Sequence, residues 1–138
     1  MILKKLHFKN YNPVLVTGTP VEFYDFQRLF LDFADVHCQP AKDLKYKFVI
    51  SFVQTIRDVE FLAMNVIPSL ENDAIFWVAY PKKTSKKFKS EITRDQGWDS
   101  LRDQGYEGVS MIAIDNDWSA FRLGHVSKVK GLRLKAKG

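Results

Sequence analysis

The sequence predicts an α/β fold: a small three-layer sandwich whose mostly parallel sheet of about five strands ends in an antiparallel hairpin at its C-terminal edge. Three patterns carry this expectation. Almost wholly apolar runs, Phe48–Val53 and Ala74–Ala79, have the length of strands covered on both faces. Stretches with a helical apolar period lie between the β-like runs. The last two runs, Val109–Ile114 and Trp118–Leu123, are separated only by Asp115, Asn116 and Asp117, which demands a hairpin. Strand–helix–strand alternation requires right-handed crossovers between parallel strands, so the arrangement is Rossmann-like.

Each element follows from local chemistry. Val14–Thr17 is a first strand. Thr19 as N-cap, Pro20 at the first helical position and Glu22 two residues on predict a capping box opening a helix over Val21–Phe33. Phe23, Phe26, Phe30 and Phe33 would form its buried face. His37 and its neighbours add a short strand. A helix over Ile56–Val66 buries Val59, Leu62, Ala63 and Val66, and Pro68 ends it. After a lysine-rich connection, Thr93 and Gln96 predict a second capping box, with a helix over Arg94–Gln104 stopped at Gly105.

Composition bounds the rest. A chain of 138 residues forms one domain, expected here as residues 1–127 followed by a basic tail, 128–138. Of the net charge of +5, Lys128, Lys130, Arg133, Lys135 and Lys137 account for all, so the remainder is formally neutral. No apolar stretch has the ~18 residues a membrane helix needs, and the N-terminus has no apolar signal core, so no membrane partner and a cytoplasmic location are expected. Cys38 is the only cysteine, which excludes an intrachain disulfide and a cysteine-rich metal site. His7, His37 and His125 have no metal-ligand spacing. No cofactor is expected.

The site expectation rests on topology. Connections leaving the ends of parallel strands emerge at one edge of the sheet, where open α/β sheets bind ligands. Lys82, Lys83, Thr84, Ser85, Asp115 and Trp118 would share that rim, with Arg94, Ser119 and Arg122 near it. Lysines supply charge, hydroxyls hydrogen bonds, arginine a planar fork and Trp118 a wall. The function expected is a non-catalytic binding domain for an anionic small molecule or a protein partner. One alternative is an enzyme acting on a phosphorylated or carboxylated metabolite with Asp115 as acid/base. Another is nucleic-acid binding through Lys86, Lys87, Lys89 and the basic tail.

Two resemblances add to this reading. WVAYPKKTS, ITRD and AIDNDWSAFRL, with Trp77, Pro81, Lys82, Lys83, Ser85, Thr93, Arg94, Asp95, Asp115, Trp118, Ser119 and Arg122 as matching positions, resemble a small bacterial family of uncharacterised proteins. That resemblance implies site positions and no reaction. The order of elements over Phe48–Leu123 is similar to the later half of a methyltransferase Rossmann fold. Such enzymes carry an acidic-x-Gly-x-Gly loop after their first strand and an acid after the second. Here the first loop reads Thr17-Gly18-Thr19-Pro20 and the second acid is missing, so the resemblance implies the fold without S-adenosylmethionine.

Overall fold

The computed structural model describes residues 2–127, and the segment expected as a basic tail lies outside the described residues. β1 (Val14–Thr17), β2 (Val36–His37), β3 (Tyr46–Phe52), β4 (Leu70–Pro81), β5 (Tyr106–Ala113) and β6 (Trp118–His125) form one sheet in the order β2-β1-β3-β4-β6-β5. β1 to β4 run parallel, and β6 is antiparallel to both β4 and β5. The expected parallel sheet with its antiparallel edge hairpin is therefore present, with the His37 segment as a sixth strand.

Alternation along the strands builds the three layers. Val14, Val16, Phe48 and Ile50 face α2 (Tyr24–Leu31), with the short α1 (Ile2–Lys5) packed on the same side through Leu3. Leu15, Val49 and Phe76 face α3 (Ile56–Asn65) and α4 (Asp99–Asp103). The buried Trp77 Nε1–H donates to the Leu6 carbonyl at 2.9 Å, which pins the N-terminal segment beneath the sheet.

Two of the expected helices depart from expectation for local reasons. Val21–Phe23 is a 3-10 turn, α2 begins only at Tyr24, and the Thr19–Glu22 box does not form. The Thr19 hydroxyl is instead buried without a hydrogen-bond partner. Because α2 stops at Leu31, Phe33 leaves the aromatic face and is 51% exposed, while Phe23 and Phe30 are buried. The capping box that does form belongs to α3. Thr55 Oγ1 accepts from the Asp58 amide, and Asp58 Oδ2 accepts from the amide of Thr55. Thr55→Ala should therefore lower stability by about 1 kcal/mol, read from the midpoint of a urea unfolding curve.

The expected helix over Arg94–Gln104 shrinks to α4. The Thr93 hydroxyl accepts from the amides of Asp95 and Gln96, but Gly97 follows at φ +95 and turns the chain out of the right-handed region before a helix can propagate.

Candidate functional site

The expected rim divides into pieces. Lys82, Lys83, Arg94 and Ser119 do come together, around a shallow cavity of about 260 Å³ that Tyr80, Thr93 and Asp95 also line. Thr84 is exposed and outside it. Ser85 is occupied structurally: its hydroxyl donates to Asp117 Oδ1 at 2.8 Å and accepts from the Phe88 amide at 3.1 Å. Trp118 is 1% exposed, wedged against the rings of Phe23, Phe52 and Phe88, and walls no cavity. Arg122 stands opposite Trp77 on β6 and reaches a depression with Glu71 and Asp73, at the amino end of β4.

Asp115 is no acid/base. Its carboxylate lies in solvent and accepts from the amides of Asp117 and Trp118, both at 2.8 Å, which holds the hairpin turn. Asp115→Asn keeps an acceptor there, so unfolding curves should shift by less than about 0.5 kcal/mol.

Tyr80 borders the lysine cavity from inside. Burial pushes its phenol up to about 12; the charge of Arg94 opposes that rise and the charge of Asp95 adds to it. A raised phenol binds its proton more tightly in the folded than in the unfolded chain. Its contribution is complete below about pH 10 and is lost as pH rises from 10 towards 12, up to roughly 3 kcal/mol. Wild type should lose stability over that window and Tyr80→Phe should lose less of it, as thermal melts across pH will show.

A larger space opens where the strand order reverses. The chain leaves β1 for β2 on one side and returns to β3 on the other, so the carboxyl ends of β1, β2 and β3 flank a switch point. On the α3 face, a cavity of about 850 Å³ is lined by Thr17 of β1, residues 38–45 of the following loop, Phe61 and Asn65 of α3, and Pro68 and Ser69. On the α2 face, one of about 470 Å³ is lined by Gly18, Thr19, Tyr24, Gln27 and Cys38 among others. Cys38, just after β2, lines both cavities, one on each face of the sheet beside the ends of β1 and β2. The larger extends along α3 to Asn65, Pro68 and Ser69 near the start of β4, and the two together are termed the crevice.

The walls are held in place by named contacts. Gly18 has φ +69, and a Cβ there would stand 2.6 Å from the Phe52 carbonyl oxygen, so the loop after β1 is pressed onto β3. Tyr46 Oη accepts from the Ala41 amide at 3.0 Å and lies 2.6 Å from His37 Nδ1, which fastens the 38–45 loop to the sheet. Gln27 Nε2 donates to Cys38 Sγ at 3.6 Å across the α2 side.

Sequence reasoning missed most of this crevice. Gln39, Asp43 and Asn65 sit in or beside a loop with no periodicity to read. One signal was available. Phe61 lies off the Val59–Leu62–Ala63–Val66 stripe of its helix, and an aromatic on the polar face is what a ligand wall leaves in a sequence; it is 50% exposed.

No protein-family model matches the chain, and no curated protein sequence does. Solved structures do. A SAM dependent methyltransferase from Aquifex aeolicus is 12% identical with a TM-score of 0.60, over 88% of this chain and 86% of that one. A ribosomal protein L11 methylase from Lactobacillus delbrueckii subsp. bulgaricus is 8% identical with a TM-score of 0.55, over 89% of this chain and 74% of that one. LepI in complex with SAH and a substrate analogue is 9% identical with a TM-score of 0.59, and the chain spans 90% of itself but only 46% of LepI.

These similarities show the fold, a methyltransferase-like Rossmann sheet. They also correct the functional expectations. Structures similar over most of the chain include a SAM dependent methyltransferase and proteins in complex with SAM or SAH, which speaks against the expected non-catalytic domain with an anionic or protein partner at the lysine rim. Asp115 is spent on a turn, and Lys86, Lys87 and Lys89 are exposed on the connection before Glu91.

Proposed function

We propose that the chain is a methyl-transferring enzyme that takes a SAM-type donor in the crevice over the ends of β1 and β2. The observation that supports this reading is the position of that crevice, beside the ends of β1 and β2 and next to the reversal of strand order between β1 and β3, in a sheet similar to that of a methyltransferase.

The residues present fit the nucleoside half of such a donor. Gln39 and Asn65 bring amides, Asp43 brings a carboxylate able to accept from hydroxyls, and Phe61 offers a ring face. Asp43 stands in for the acid missing from the end of β2. For the other half, Gly18 supplies the one turn that requires a glycine, and the buried, unpartnered Thr19 hydroxyl supplies a polar group where further glycines would have exposed amides. When bound, the donor would supply an electrophilic methyl group on a sulfonium centre. The chain's own part is to bind and orient it, and to shield it with the 38–45 loop and α3. Lys82, Lys83, Arg94 and Ser119, at the same edge of the sheet, border the side from which a methyl acceptor enters. Residues 1–127 act as a single domain in this reading.

Thermal melts of the whole chain with SAM, SAH, adenosine and inorganic phosphate test it. A ligand at a hundred times its Kd stabilises the native state by about 2.7 kcal/mol, so SAM and SAH should raise the melting temperature by several degrees and phosphate should not. Stabilisation by phosphate alone, or by none of the four, would overturn the reading.

A further inference from the structure

Thr17 and Ser51 are the last register pair between β1 and β3 before the strands part. Both are buried, on strands whose other buried side chains are apolar or aromatic, and the Thr17 hydroxyl donates to Ser51 Oγ at 2.6 Å. Two hydroxyls buried in the middle of a core are costly unless paired, and an apolar pair of the same shape would hold the sheet as well. Their position is therefore informative. Thr17 immediately precedes Gly18 and also lines the larger cavity. Ser51 immediately precedes Phe52, whose carbonyl oxygen is what the Gly18 turn rests against.

We infer that the Thr17–Ser51 hydroxyl pair is a positioning device for the crevice. It fixes the height of the Gly18 turn against the end of β3, and with it the Thr17 wall of the α3-side cavity and the Gly18 wall of the α2-side cavity. The inference rests on the donor reading above. It concerns residues that act through the turn; neither is a catalytic residue.

Isothermal titration of SAH into wild type, Thr17→Val, Thr17→Ser, Ser51→Ala and the Thr17→Val/Ser51→Ala double variant separates this from a purely structural role. Each apolar single variant leaves one buried hydroxyl unpaired and should lower the melting temperature, whereas the double variant removes both and should regain most of it. Affinity should behave differently. Thr17→Val and the double variant should bind about tenfold more weakly, with Thr17→Ser near wild type. Unchanged SAH affinity in the folded double variant would overturn the inference and leave the donor reading standing. Absence of SAH binding by wild type would overturn the donor reading itself.

Discussion

Gly18→Val should lower stability by roughly 3 kcal/mol or more and abolish SAH binding. Two costs add. A residue with a Cβ at φ +69 loses about 1–2 kcal/mol to backbone strain, and valine, branched at Cβ, loses more than alanine. The added Cβ would also stand 2.6 Å from the Phe52 carbonyl oxygen, which is main chain in a central strand and has no rotamer to escape into. The loop must lift away from β3, and the crevice floor goes with it. Gly18→Ala should show the same effects at lesser size. Urea unfolding monitored by tryptophan fluorescence measures the first effect and SAH titration the second; a Gly18→Val protein as stable as wild type would show that the turn is not packed as described.

Trp118→Ala should cost about 4 kcal/mol, the range for emptying a large core site. The indole is among the largest fully buried side chains and touches three rings that come from different parts of the chain, Phe23, Phe52 and Phe88. It joins the hairpin to the loop after β1 and to the lysine connection. Its Nε1–H is buried without a hydrogen-bond partner, a burden of about 1–3 kcal/mol on the native state. Trp118→Phe removes that burden while keeping a ring, so its cost should fall well below that of Trp118→Ala. A phenylalanine variant as unstable as the alanine one would mean that the indole N–H is satisfied in solution.

How much was legible in the sequence depended on whether a residue's role was local. Val14–Thr17 and the turn at Asp115–Asp117 could be read directly, because an apolar run and an Asp-rich gap determine themselves. The parallel sheet and its edge hairpin followed from the alternation of periods. Helix starts were less secure. Thr19 and Thr55 both have a helix-capping look, yet only Thr55 caps; the choice was made by the packing of the loop at Gly18 against Phe52. The site was least legible. Position on the carboxyl edge depended on which backbone amides needed acceptors, and Ser85 and Asp115 went to those. Arg122 was lost to register, since it pairs with Trp77 in mid-sheet instead of at the rim. The crevice residues Gln39, Asp43 and Asn65 become neighbours only through the reversal of strand order, which no short stretch encodes.

The donor site proposed above lies beside the ends of β1 and β2 and not at the lysine cavity beside Tyr80. Amide chemical-shift mapping of the isotope-labelled chain titrated with SAH addresses this most directly. The account predicts saturable shifts centred on Gly18, Thr19, Cys38, Gln39, Phe61 and Asn65, with Lys82, Lys83 and Arg94 little changed. Shifts centred on Lys82, Lys83 and Arg94, or no shifts at all at about 1 mM SAH, an affinity limit near −4 kcal/mol, would contradict it.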